Sequence, residues 1–376
     1  MNIRVVESGN DFLSLRDDWV RLAQNLLPAQ KFTWMYTWWR YHKEGNKLWI
    51  LVVEEDNKVI GIAPLYVRKI PILKIITLEK LCFLGEQITP YLDFLILQDQ
   101  RRETVFQTLI TCILQNIPYD ILGLTDINSH YPNFDLWQKY STLLDFKMEV
   151  SFECPKISFS HYESYNDYYK QLSKNQKQSL KFRYNKTKQN NVHVEYIFKK
   201  NITEDEMSTI ANIHIKRQKF LQERGVSGRY SHFTDQQESK FIRSFFCSGE
   251  TDSKMLACMK CNGSIVSYIL LFVTKNTLSY WNTAFDTDYE VYAPTKLLIN
   301  ELIKYAFENK YGYLDFMRGG DSYKFRWAND ASVNYQITRH KTQKAKLAYL
   351  CKNIAPDFLL PKKFRFRRRA STTDGE

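Results

Sequence analysis

The sequence predicts an α/β protein of the α+β kind, in which a mixed sheet flanked by helices is built twice in tandem. Three observations carry this. At 376 residues the chain exceeds one comfortable core, and the length favours two domains. The same order of elements (helices, hairpin, strand, helix, strand) is read in both halves. The final strand of the second copy ends on paired glycines followed by a dense run of polar and aromatic residues.

In the first copy, residues 10–26 read as a helix, with Phe12, Leu15, Trp19, Leu22 and Leu26 near helical spacing and Pro28 at its end. The aromatic run 32–39 is expected to fold onto the core as a short helix. Residues 48–53 and 58–67 form strands about an Asp56-Asn57 turn, a hairpin signal. A strand at 92–97, an amphipathic helix at 104–115 and a strand at 119–124 complete the set.

The second copy opens with a basic helix, 168–189, and another at 204–223. A hairpin follows (255–260 and 264–273), then a strand at 278–285. Residues 294–308 form a helix with Leu298, Leu302 and Tyr305 or Ala306 on one face, and 313–317 alternate as a half-buried strand. The repeat is one of architecture, since the residues themselves hardly recur. With a linker near Cys154-Pro155, the expected domains are 1–154 and 155–340, and 341–376 is a basic tail.

Hydrophobic residues make up 44% and charged residues 25%, ordinary for a globular protein. The longest apolar passage, 265–273, contains Ser267 and is far short of the ~18 residues that a membrane helix requires. The first residues lack the basic start and apolar run of a secretory signal, so a cytoplasmic protein is expected. Seven cysteines, an odd and scattered set, argue against a disulfide framework. Cys258 and Cys261 have metal-ligand spacing, but they fall on a strand entering an Asn262-Gly263 turn, where residues three apart face opposite ways. No metal is expected.

The net charge is +12, and two segments account for the whole excess. One is 173–188, with Lys174, Lys177, Lys181, Arg183, Lys186 and Lys188 and no acid. The other is 361–370, with Lys362, Lys363, Arg365, Arg367, Arg368 and Arg369. Such clustering points to local anionic contacts, not to a uniformly cationic surface. The first patch reads either as a solvated helix face or as a contact for phosphate on a coenzyme, a nucleotide sugar, a lipid-linked glycan or RNA. In the second, Phe364 and Phe366 interleave with arginines, which fits attachment to nucleic acid or to anionic lipid at the inner membrane face, or a solubilising tail.

The stretch 311–327 concentrates the candidate chemistry. A half-buried strand, 313–317, runs into Arg318-Gly319-Gly320-Asp321, where glycines permit backbone angles that side chains forbid. Tyr323, Lys324, Arg326 and Trp327 follow at once. Upstream, Pro294 suits the first turn of its helix, so the N–H groups of Thr295, Lys296 and Leu297 form a ready anion site, to which Lys296 adds charge.

These residues carry a resemblance. Leu172-Ser173-Lys174 with the basic helix, His214-Ile215-Lys216-Arg217, residues 292–298 and residues 315–324 resemble the Gcn5-related acetyltransferases (GNAT) of the CelD/BcsL type, linked to cellulose and other exopolysaccharides. More distantly the chain is similar to the Fem-type aminoacyl transferases, which carry two such folds in tandem. In the first half, 60–65 and 90–93 fit the same group, and the likeness spans roughly 1–340. The resemblance implies acyl transfer from acetyl-CoA or another acyl-CoA to an amine or hydroxyl of a small-molecule or glycan acceptor, without a metal. An aminoacyl-tRNA donor, or a non-enzymatic nucleic-acid or membrane-binding role on a degenerate fold, are the alternatives.

On this reading Lys324, which with Tyr323 matches an aromatic-lysine pair of the Fem-type enzymes, stabilises the developing oxyanion or positions the acceptor. Its other reading is a salt bridge to Asp315 or Asp321. Asp321 is the general-base candidate, and Tyr323 either returns a proton to the thiolate or packs. Substrate contacts fall to Lys174, Lys177, Lys181, His214, Arg217, Arg318 and Trp327, although a lone histidine on a partly apolar face, as His214 is, is more often a satisfied core residue. Tyr91 and Asp93 are further acceptor candidates.

Overall fold

The computed structural model describes residues 1–73, 76–226, 228–250, 252–319 and 321–354. Gly320 and the arginine-rich segment 361–370 lie outside the described residues.

In chain order the strands are β1 Asn2–Val6, β2 Asn46–Leu48, β3 Ile50–Glu55, β4 Lys58–Ala63, β5 Leu65–Leu73, β6 Ile76–Phe83, β7 Leu95–Ile96, β8 Ile121–Asn128, β9 Lys147–Ser158, β10 Val194–Lys199, β11 Lys254–Cys261, β12 Ser264–Val273, β13 Thr277–Phe285, β14 Tyr313–Asp315 and β15 Asp330–His340. The helices are α1 Gly9–Ser14, α2 Arg16–Leu22, α3 Phe32–His42, α4 Arg102–Asn116, α5 Phe134–Leu143, α6 Tyr165–Gln171, α7 Lys174–Gln189, α8 Glu204–Glu223, α9 Gln236–Phe246, α10 Pro294–Glu308, α11 Ser322–Phe325 and α12 Gln343–Ile354.

The chain divides into two compact units. The first holds Met1–Leu26, Gln30–Ser151 and the described residues from Val333 on; the second holds Leu27–Ala29 and Phe152–Ser332. The division thus falls slightly before the Cys154-Pro155 linker read from sequence. It also returns residues 333–340, read as part of the second domain, to the first unit. There β15 pairs antiparallel with β8 from Asn334↔Asn128 to His340↔Ile121. The expected tail begins as a helix: Ala345 and Ala348 of α12 are buried with Ile70, Ile72, Leu78 and Ile121. Alanines three apart lie on one face of a helix and let it approach a sheet closely, a signal that the basic composition further on obscures.

Within the first unit, β1-β3-β4-β7 form an antiparallel sheet, and β15-β8-β6-β5-β2 follow one another in a mixed one. Its parallel pair, β6 and β8, is joined through α4. Gly61 of β4 is required by that helix, since a Cβ there would stand 2.3 Å from Val105 Cγ1.

The second unit repeats the plan as β10-β11-β12-β13-β14, with residues 152–158 of β9 beside β14. All its pairs are antiparallel except β13 with β14, which α10 connects. One face of this sheet (Met255, Ala257, Ile269, Leu271, Leu278, Tyr280) packs with Leu297, Leu298 and Leu302 of α10. On the other face Phe272 and Trp281 meet Phe245 and Phe246 of α9. Cys258 and Cys261 sit buried in β11, and only Cys261 belongs to the α10 side of the core.

Two predicted helices are each divided. The basic helix stops at Leu172, and Ser173 restarts it as α7 by accepting the Gln176 N–H at 3.2 Å. The first helix breaks at Leu15 into α1 and α2.

Candidate functional site

The second unit's parallel pair is short, and its brevity makes the site. Only Thr277↔Tyr313, Leu278↔Leu314 and Ser279↔Asp315 are in register. β13 continues to Phe285, whereas the chain after Asp315 turns away, so the two strands fork at their carboxyl ends. Ligands of α/β sheets bind at such ends. The turn has a local cause: Met317 takes a φ of +55°, and its N–H donates to Asp315 Oδ1 at 2.7 Å. Tyr280 and Phe316, with ring centroids 5.6 Å apart, fill the root of the fork.

β13 also carries a bulge here. Leu270 opposes Asn282 and Leu271 opposes Tyr280, which leaves Trp281 as the extra residue. A bulge interrupts the ladder and re-aims backbone donors beside the fork.

On the other prong stand the residues expected from the sequence. Asp321 begins the single turn α11, and Lys324 lies within it, buried at 6% exposure. Lys324 Nζ donates to the Arg318 carbonyl at 2.9 Å, and Asp321 Oδ2 is 3.9 Å away. Burial pushes this ammonium below the usual lysine range, aided by Arg318 and opposed by Asp321, Cys154 and Asp315. The Tyr323 hydroxyl donates to Tyr280 across the fork at 3.4 Å, and burial pushes its pKa up to about 12. Lys324, Asp321, Tyr323 and Arg318 therefore stand together on one side of the fork.

The start of α10 is partly as expected. Ala293 caps it in the left-handed conformation, and Pro294 occupies the first turn. However, the N–H groups of Lys296 and Leu297 both turn to Ala293 O, at 3.0 and 3.3 Å, which leaves that of Thr295. The Thr295 hydroxyl is 3.0 Å from Ser267 Oγ of β12. Lys296 Nζ donates to Ser179 Oγ at 2.7 Å, and burial lowers its pKa, reinforced by Arg326 and Arg183. Arg183 itself donates to the Val291 carbonyl, just before the helix. Three cations, from α7, α10 and the end of α11, thus converge on one helix N-terminus.

Other residues singled out in the sequence sit elsewhere. At roughly 100° per residue, Lys174, Lys177 and Lys181 occupy the opposite side of α7 from Ser179 and Arg183, away from the α10 start. Trp327 is buried at 3%, its carbonyl accepting from Tyr168 Oη at 2.8 Å. Arg217 stacks 4.2 Å above Phe285 and lies 3.6 Å from Glu290. In the first unit, buried Asp93 accepts from Trp137 Nε1 (2.8 Å), Asn133 Nδ2 (3.0 Å) and the Phe94 N–H (2.7 Å), a structural duty; Tyr91 is buried too.

His214 is the satisfied core residue, not an exposed ligand. It is 4% exposed, and its Nδ1 lies 2.6 Å from Ser231 Oγ. Burial, with His232 nearby, lowers its pKa to about 4, so the ring is neutral. Its Nε2 faces the amide nitrogens of Gln218 and Asn282, each at 3.5 Å. Sequence reading passed over Tyr280, the Trp281 bulge and Asn282, because none belongs to a local motif.

The fork, the bulge and the start of α10 all lie within a segment that matches a known family model. Residues 177–325 match the family model described as an acetyltransferase (GNAT) domain. No curated protein matches the chain. Among solved structures it is similar to FemX, with a TM-score of 0.60 at 12% identity, covering 94% of this chain and 100% of that one. It is also similar to L-PGS from Bacillus licheniformis (TM-score 0.54, 10% identity, 90% and 96% covered). A tandem GNAT protein from the clavulanic acid biosynthesis pathway gives a TM-score of 0.50 at 10% identity, with 91% and 99% covered. These likenesses are of fold.

Proposed function

We propose that the second unit transfers an acyl group, acetyl by preference, from acyl-CoA to an amine or hydroxyl of a glycan, a lipid-linked sugar or a similar envelope precursor, as a CelD/BcsL-type enzyme would. The observation that carries the reading is the fork, with the α10 start on one side and Lys324 and Tyr323 on the other.

In this reading the Thr295 N–H and the cations of Lys296, Arg183 and Arg326 hold the donor's pyrophosphate. The thioester lies along the bulged edge of β13. Lys324, a cation in a partly dry place, stabilises the charge that develops on the thioester oxygen and costs little reorganisation. Tyr323 returns a proton to the departing thiolate. Asp321 sets the field around Lys324 and is the base suggested by sequence. Contact of the basic α7 face and of the tail with anionic lipid at the cytoplasmic membrane face belongs to the same proposal.

Exposed Lys174 and Lys181, with half-buried Lys177 between them, favour a second reading, in which the donor is an aminoacyl-tRNA whose backbone extends over α7. Mass spectrometry of cells expressing the wild type or Lys324→Ala tests the proposal. An acylated glycan or lipid-linked sugar absent from the variant is expected; identical acylation in both would refute it.

A further inference from the structure

We propose that His232, oriented by Glu238, is the base that takes the acceptor's proton; the proposal rests on the transfer reading above. His232 Nδ1 lies 2.6 Å from Glu238 Oε2. A carboxylate at that distance accepts a hydrogen bond from Nδ1–H, which fixes the tautomer and leaves Nε2 as the basic atom, the arrangement that generates a general base from imidazole. Glu238 belongs to α9. It sits in the first turn of α9, where the Asp235 side chain accepts the N–H groups of Gln237 and Glu238 at 2.9 Å, and the helix N-terminus favours its charge.

What relates this pair to the fork is a chain of contacts. Asn282 stands beside the Trp281 bulge, and its Nδ2 is 3.5 Å from His214 Nε2. His214 Nδ1 is 2.6 Å from Ser231 Oγ, which also accepts the Phe233 N–H at 3.2 Å. Buried His214 therefore pins the loop at Ser231 to β13, and the two residues flanking Ser231, Tyr230 and His232, are held at that edge. Their rings pack with centroids 4.8 Å apart, and Tyr230 Oη is 3.2 Å from His232 Nδ1. Charge agrees with this placement: Arg318 acts on the Tyr230 hydroxyl, and Arg229 acts on that of Tyr323. Asp321 is less suited to the task, because Lys324 beside it draws its carboxylate into service as a counter-ion.

The step balances. The acceptor's nitrogen or oxygen attacks the thioester carbonyl carbon, and its proton passes to His232 Nε2. The tetrahedral intermediate then expels the thiolate with the C–S electron pair. Tyr323 supplies the proton that makes the free thiol, and the proton on His232 leaves to solvent while Tyr323 is reprotonated. His214 is a positioning residue in this scheme.

The test follows thiol release from acetyl-CoA with glucosamine, or with water alone, as acceptor, for the wild type, His232→Gly, Glu238→Gln and Asp321→Asn. His232→Gly is expected to lose about 10²-fold in turnover, as removal of a general base does. It should keep the wild-type rise in melting temperature with acetyl-CoA and regain activity on addition of imidazole. Glu238→Gln is expected to shift the acidic limb of the pH–rate profile, and Asp321→Asn to leave that limb in place. Turnover by His232→Gly within threefold of wild type, or a loss that imidazole does not restore, overturns the proposal and leaves the transfer reading intact. A wild type that releases no thiol with either acceptor overturns both.

Discussion

Lys324 fills the space that a side chain on Gly319 would need. A Cβ on Gly319 would stand 3.1 Å from Lys324 Nζ and 3.6 Å from Asp321 Oδ2, at a φ of +116°. Gly319→Ala is therefore predicted to strain the backbone by about 1–3 kcal/mol and to displace the ammonium. Turnover should fall by about 10-fold or more, with acetyl-CoA affinity within about twofold of wild type, since Lys324 acts on the developing charge and not on the bound donor. Steady-state kinetics beside a calorimetric Kd check this. Equal loss in both would mean that the turn serves binding instead.

Lys324→Met removes the charge and keeps much of the volume. A loss of about 10²–10³ in turnover is expected, the scale of a missing oxyanion donor. Thermal stability should hold or rise, because a buried ammonium is costly to desolvate. Its lowered pKa gives the sign of a pH effect. If the charged form is the active one, wild-type activity declines on the alkaline side at a pH below the ordinary lysine range, and that limb disappears in the variant.

His214 makes stability depend on pH. Its folded pKa of about 4 lies below the ordinary 6.5. As pH falls through 6.5 the unfolded chain takes up a proton that the folded chain refuses until about pH 4. Stability is thus full above pH 6.5 and declines between 6.5 and 4, by about 3 kcal/mol in all. Urea midpoints at pH 7.5 and 5 should differ more for the wild type than for His214→Asn. The same difference in both proteins would contradict the assignment.

Asp93 offers a test within the first unit. Burial raises its pKa to about 6 against the hydrogen bonds it accepts. Asp93→Asn presents an amide N–H₂ to the Trp137 and Asn133 donors and strands at least one of them, for a loss of about 2–3 kcal/mol. Because that damage is confined to packing of the first unit, acetyl-CoA affinity at low temperature should be unchanged.

How much of this was legible varied with the physics of each element. The bounds of α8 and α10 were read to the residue, because a Thr203–Glu206 capping box and Pro294 mark their starts chemically. The tandem plan was legible from the order of elements. β6 was missed because Glu79 and Lys80 interrupt its alternation; the structure neutralises Lys80 with buried Glu86, 3.0 Å away. β9 and β15 were not read as strands, although Met148, Val150 and Phe152, and Val333, Tyr335 and Ile337, alternate with polar residues as strand positions do. In the site, Tyr323 and Lys324 stood out through their neighbouring glycines. The approach of Arg183 to α10, and of Ser231 to His214 and Asn282, has no local signature, since it joins residues from separate elements.

The central claim is that the start of α10, with its three cations, holds the donor. Calorimetric titration of acetyl-CoA into wild type and into Arg183→Ala/Lys296→Ala tests it most directly. The account predicts saturable binding by the wild type, weakened at least about tenfold in the double variant as two charge-assisted contacts are lost. Undiminished affinity in the double variant, or no heat from the wild type at millimolar ligand, would contradict it.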